Sequence, residues 1–288
     1  VWSLYNDLIA AIPTDLRVSD CLMGLHWILI RSASTGVVMT PREGESSIEL
    51  AGKITDMPVR QLAGYVKSWN SFEASLGLAA INSALNTPER VESLAGCSMA
   101  SLPQDPAFDR FTERICGKRV AVIGHFPKVE SLAEICQLTV LERHPQQGDL
   151  PDPACEFVLP EQDLVFVTAT TIANKTLPRL LELSRQALVV LVGPSTPLTP
   201  ILFDYGVDVL AGTVVVQPQT LWRVVQEGAA TKSSAMVARG SSWAEMSAAR
   251  SPNPHHLPGK PTLGNSVVGE SENDKVKMEG LTSSMGCV

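Results

Sequence analysis

Residues 118–142 read KRVAVIGHFPKVESLAEICQLTVLE, and residues 163–192 read DLVFVTATTIANKTLPRLLELSRQALVVLV. Short, unbroken β-branched runs alternate here with segments of helical periodicity. A half-buried strand would alternate apolar with polar. A continuous apolar run instead marks a strand covered on both faces. The expected strands are Val120–Ile123, Leu138–Glu142, Asp163–Val167, Ala187–Val192 and Val207–Leu210, the last with an alternative extension through Val216 interrupted by Gly212. Helices are expected at Val129–Cys136, Thr176–Ser184, Thr199–Tyr205 and Gln217–Glu227. Right-handed crossovers then give an α/β fold with a doubly wound parallel sheet over residues 116–228.

Residues 1–115 read as a smaller α+β domain. Trp2–Ile12 has helical spacing. Asp20–Arg31 is apolar and reads as one strand, with His26 inside it as a core or interface residue. A turn at Thr35-Gly36 lets Val37–Met39 pair back as a hairpin. Helices follow at Val59–Trp69 and at Ser71–Leu85, with Ser71 as N-cap. Gly77, Ala79 and Ala80 give the second helix a small-residue face for close packing. Asn86–Cys116, punctuated by prolines, connects the domains. From residue 229 to 288 serine, glycine and proline dominate and periodicity disappears, so this stretch reads as a disordered low-complexity tail.

Composition narrows the function. The net charge is −7, the pI about 5.3 and aromatics make up 5% of the 288 residues. An acidic surface repels phosphate backbones, which argues against nucleic acid and anionic membranes as partners. No apolar run is long enough for a membrane span, and the N-terminal segment lacks the basic start of a signal peptide. Six scattered cysteines without a CxxC pair predict reduced thiols and a cytoplasmic setting.

In a doubly wound sheet, ligands bind beyond the carboxyl ends of the strands. The loops there are Gly124–Pro127, Glu142–Asp149, Thr168–Thr176, Gly193–Pro197 and Ala211–Val214. Candidate ligand-binding residues are Gly124, Phe126, Glu142, Thr168, Thr170, Asn174, Gly193, Ser195 and Thr196. Asn82, an amide in the small-residue helix, either caps a backbone group or reaches into the cleft. Glu142 stands eighteen positions after Gly124, where a dinucleotide fold places its ribose-binding acid. The turn GHFPKVE, however, carries Phe126 and Lys128 where glycines let a pyrophosphate approach. Serine hydrolase chemistry lacks a GxSxG elbow. His125, Glu142, His144 and Asp149 combine nitrogen and oxygen donors suited to a transition-metal ion; Glu142, His144 and Asp149 are taken as the metal set.

The segments GLAAINSAL, VAVIGHFP, LERHPQQGDLPDPACEFVLPEQDLVFVTATTIANKTLPRLLEL and LVGPSTPLTPILFDYGVDVLAGTVV together resemble the family described as putative heavy-metal chelation. The resemblance implies an enolase N-terminal-like domain followed by a Rossmann-like domain, a ligand cleft between them and a homodimer. Two functional readings stand: binding of a metal ion or a metal-chelating small molecule in that cleft, or an enzyme acting there on a nucleotide-like or phosphorylated small molecule.

Overall fold

The computed structural model describes residues 2–44, 48–102, 107–229 and 241–247. The N-terminal lobe holds a three-stranded antiparallel sheet, β1 (Asp20–Met23), β2 (Trp27–Arg31) and β3 (Thr35–Met39), in that spatial order. Its helices are α1 (Ser3–Ala10), α2 (Val59–Gly64), α3 (Ser71–Leu85) and α4 (Pro88–Ala95). The second lobe is a seven-stranded sheet of β4 (Arg119–Ile123), β5 (Gln137–Glu142), β6 (Leu150–Pro151), β7 (Leu164–Thr168), β8 (Leu188–Val192), β9 (Val209–Val215) and β10 (Ser241–Ser247).

The spatial order is β10-β9-β8-β7-β4-β5-β6. The pairings among β4 to β9 are parallel, and β10 lies antiparallel on β9. Counted from β4, the six parallel strands follow the order 3-2-1-4-5-6 of dinucleotide-binding sheets, so the chain reverses direction between β4 and β7. The five strands expected from the apolar runs are present within two residues of their expected starts, and β9 takes the longer alternative. β6 and β10 are additions. A two-residue strand has no periodicity to read. β10 falls within the stretch expected to be a tail, of which residues 230–240 and 248–288 lie outside the described ones.

Several N-terminal expectations are corrected. Asp20–Arg31 is two strands, not one, because Gly24–His26 turns the chain and β1 pairs back on β2. His26 is therefore exposed at a hairpin tip rather than buried. The turn before β3 is at residues 32–34, with Thr35 and Gly36 inside the strand. α2 stops at Gly64 and continues only as a 3-10 turn to Lys67. α3 has the expected bounds, but its cap is Asn70, whose side chain accepts from the Phe72 and Glu73 N–H groups. The segment after β4, Val129–Glu134, is 3-10 rather than α-helical.

α3 is the shared wall of the molecule. Every residue from Ala74 to Leu85 is buried. The apolar core around it continues from β2 and β3 into the inward residues of β4, β7 and β8, such as Ile123, Val167 and Leu191. Backbone meets backbone where α3 crosses its neighbours. A Cβ on Gly36 would lie 2.0 Å from the Ala79 carbonyl oxygen, and one on Gly77 2.1 Å from the Val66 nitrogen. These atoms cannot swing aside as a side chain can. Gly77→Ala gains about 1 kcal/mol of helix propensity, yet overpacking costs about 1–3 kcal/mol, and a clash with rigid backbone falls at the upper end. Urea denaturation is expected to show net destabilisation by Gly77→Ala and by Gly36→Ala.

Candidate functional site

The reversal point puts the ends of β4 and β7 side by side. Gly124 has φ +100° there, and a Cβ on it would meet Thr168 at 3.0 Å. Glycine is thus required both by conformation and by space. From this pair a closed circuit of contacts runs through both lobes. The Thr168 and Thr170 hydroxyls are 3.0 Å apart, and the Asn174 N–H donates to the Thr170 carbonyl. Lys175 donates to the carbonyls of Ala173 and, across the lobe boundary, of Ser68. The Ser71 hydroxyl donates to the Glu43 carbonyl at 2.8 Å, and the Glu43 carboxylate lies 3.2 Å from His144 Nε2. The circuit closes through Glu142, which accepts from the His144 and His125 N–H groups.

Glu142 sits where sequence places it, at the end of β5, but its carboxylate faces inward to the first turn. Oε2 accepts from the His125 N–H at 2.8 Å and Oε1 from the Arg143 N–H at 2.7 Å. An internal carboxylate thus holds an amide that a phosphate would need. The segment that follows offers no substitute: it is a 3-10 turn with an acid, Glu130, at its start and Lys128 at φ +65° before it.

His125 is the centre of the acidic end of the mouth. Its Nδ1 is 3.0 Å from Asp149 Oδ2, and its Nε2 is 2.9 Å from Glu130 Oε1. Asp149 is only 5% exposed at its side chain, and the same oxygen also accepts the Gln146 N–H. Of the expected metal set, Glu142 and Asp149 are therefore brought to His125, whereas His144 is 60% exposed and turned to Glu43. Among the described residues, no three His, Cys, Asp or Glu side chains converge on a point that could hold a metal ion.

The expected ligand-binding residues divide into two groups. Gly124, Glu142, Thr168, Thr170 and Asn174 lie on the circuit. Asn82, Gly193, Ser195 and Thr196 lie instead along a buried seam between the lobes. Asn82 Nδ2 donates to the carbonyls of Val37 and Ser195, and the Ser195 hydroxyl accepts from the Met39 N–H. The Thr196 hydroxyl donates to the Ala211 carbonyl, while the Gly193 N–H donates to the same oxygen. Asn86, not singled out by sequence, donates to Thr196 and Thr213 carbonyls and accepts from the Leu198 N–H. Asn82 Oδ1 is buried without a partner among the described residues. Phe126 is in neither group; its ring packs at 5.2 Å on Phe108, which continues to Phe166 at 4.7 Å.

Two family models, each described as putative heavy-metal chelation, match residues 5–85 and 106–241. A crystal structure of a family member of unknown function from Desulfitobacterium hafniense is 38% identical, with a TM-score of 0.79 over 86% of this chain and 98% of that one. The chain belongs to this family. An uncharacterised protein of Methanocaldococcus jannaschii is 30% identical over 227 residues, covering 73% of this chain and 83% of that one. A family structure of unknown function from Pyrococcus horikoshii shares the fold, at 21% identity and TM-score 0.68, over 85% of this chain and 98% of that one. No helix among the described residues is long and apolar enough to cross a membrane.

Lys175 and Glu43 on this circuit, and Glu130 beside His125, are residues that the sequence did not single out. Lys175 is the least ordinary. Its backbone is left-handed at φ +67°, and burial pushes its ammonium down to about 8. Below that pH the lysine is charged in both folded and unfolded chains. Between about pH 8 and its ordinary 10.5 only the unfolded chain keeps the proton, so this group makes stability rise with pH across that window. Half-buried Cys21 and buried Cys155, whose thiols burial raises to about 11 and about 12, act in the opposite sense above their ordinary range. The comparison that isolates Lys175 is with Lys175→Met: thermal melts are expected to shift in favour of wild type, relative to the variant, as pH rises from about 8 to about 10.

Proposed function

We propose that this protein binds a divalent transition-metal ion at the mouth of its parallel sheet, through His125 Nε2 and Glu130. The ion arrives free or as the chelate of a small molecule. The observation that carries this reading is the 2.9 Å approach of Nε2 to Glu130 Oε1. Asp149 faces Nδ1, which favours the tautomer with its proton there. Nε2 then presents a lone pair to an anionic oxygen. That arrangement is repulsive unless a cation, either a proton or a metal ion, is shared between them. Ligand atoms on neighbouring positions of an octahedral ion lie about 3 Å apart, so the spacing suits a metal. A carboxylate behind the second nitrogen is also the usual support for a metal-bound histidine. In this reading Asp149 orients the ligand, Glu142 holds the turn, and His144 stands outside the site. Two protein ligands leave several positions open, which is why a small-molecule chelate is included.

Calorimetric titration with nickel or zinc tests it. His125→Ala and Glu130→Gln are each expected to abolish measurable binding. Asp149→Asn is expected to weaken it by roughly 10–100-fold, and His144→Ala to leave it unchanged. Binding that survives His125→Ala, or disappears with His144→Ala, overturns the assignment.

The second reading, an enzyme on a nucleotide-like substrate, is favoured by the strand order and by Glu142 at the end of β5. It requires Glu142 to release the His125 N–H. The expected result is no thermal shift of wild-type protein against a nucleotide and dinucleotide panel. Glu142→Ala should lose about 1.5–3 kcal/mol of stability in urea, the range for hydrogen bonds to a charged group. A clear shift of wild type by one panel member would reverse the order of the two readings.

A further inference from the structure

We infer that Lys128 is a positioning residue of the metal site, and that its backbone, not its ammonium, sets Glu130 against His125. The inference rests on the metal reading for the ion but on separate observations for the turn. Glu130 is 67% exposed at its side chain, yet it lies 2.9 Å from His125 Nε2. Attraction alone holds an exposed pair poorly, because solvent screens the charges and both side chains lose freedom. The chain between the two residues therefore has to be shaped in advance.

Phe126-Pro127-Lys128-Val129 supplies that shape. The Val129 N–H donates to the Phe126 carbonyl at 3.2 Å and closes a four-residue turn. Pro127 takes its second position, and Lys128, at φ +65° and ψ +18°, its third. This is the pattern of a type II turn, whose third position asks for glycine or asparagine. A lysine there is strained, and it stays so only where the flanking chain is fixed. Both flanks are fixed. Before the turn, the Phe126 ring packs on Phe108 at 5.2 Å. After it, Val129 and Leu132 are buried with Val120, Val122 and Val140. Ser131 donates to the Lys128 carbonyl through its N–H at 3.2 Å and its hydroxyl at 2.8 Å. Glu130 stands between these anchored residues, so the direction in which the chain leaves Lys128 decides where the carboxylate points. A right-handed or extended Lys128 would open the turn and carry Glu130 off His125. The Lys128 side chain itself is exposed, with no hydrogen bond or ion pair among the described residues.

Substitutions at Lys128 in the full chain separate backbone from charge. Lys128→Gly frees the left-handed conformation. Lys128→Gln keeps an unbranched side chain without its charge. Lys128→Val adds a β-branch, which disfavours a positive φ. In calorimetric titration with nickel, the glycine and glutamine variants are expected to match wild type, and the valine variant to bind roughly tenfold more weakly or worse. A second readout needs no metal: NMR of the isotope-labelled ring nitrogens of His125. Glu130→Gln is expected to move the Nε2 signal, Lys128→Val to reproduce that movement, and the other two variants to keep the wild-type signal. Lys128→Thr takes the place of the valine variant if that chain does not fold. If wild type binds no nickel, the metal reading fails, and the ring signals alone decide the role of Lys128. Wild-type behaviour of the β-branched variant, weakening by Lys128→Gln, or a His125 signal that Glu130→Gln leaves unmoved overturns it.

Discussion

Asn82, in the last turn of α3, and Asn86, the residue just past its end, are both sealed from solvent, and together they clasp the backbone of the two lobes. Asn82 reaches the carbonyls of Val37 in β3 and Ser195 beyond β8. Asn86 takes the carbonyls of Thr196 and Thr213 and the N–H of Leu198. Backbone groups in a loop pressed between two layers have no water to turn to, and leaving them unpaired is costly. The amides supply the missing partners. Because they grow from a helix buried on all sides and pressed against glycines at Gly36 and Gly77, they cannot move independently of the core. The lobes are consequently held in one register, and the mouth they share inherits that register.

The first turn of the parallel sheet is acidic. Around His125 three carboxylates act at different points: Glu142 on the backbone N–H, Asp149 on Nδ1 and Glu130 on Nε2. Each settles a different degree of freedom. Glu142 holds the turn, while Asp149 and Glu130 each face one nitrogen of the ring. This is the reverse of the electrostatics in a phosphate-binding turn, where glycine N–H groups and a helix start face an anion. The strand order is retained while the chemistry at the first turn is inverted, a case of one sheet topology carrying unlike sites.

The GPSTP loop shows why strand-end loops are imperfect guides. Its hydroxyls and glycine are what a ligand loop contains, and they are also what a buried loop needs for packing against another lobe. Thr196 and Ser195 belong to the second use. His144 and His125 lie on neighbouring loops with similar composition. Which one meets Asp149 depends on how the Gln146–Asp149 turn closes, with the Gln146 N–H held by the same Asp149 oxygen that faces His125. Nothing in the residue spacing distinguishes the two.

The sequence by itself determined the parallel strands, because β-branched runs bounded by turn residues can be buried only between two helical layers. It also determined α3, whose small residues are intelligible only as a packing face, and the position of Glu142 at a strand end. The tertiary structure decided what depends on long-range closure. It split Asp20–Arg31 into a hairpin, because the Gly24 turn lets β1 pair with β2 rather than extend it. It added the two-residue β6, too short for any periodicity. It assigned Asn82 and Ser195 to the seam and His125 to the mouth, since a polar side chain takes whichever unpaired group the packing brings within reach. It placed Trp69 and Lys175, more than a hundred residues apart in the chain, against each other. Local pattern carries the propensity of an element, whereas the partners of a side chain are set only when distant elements meet.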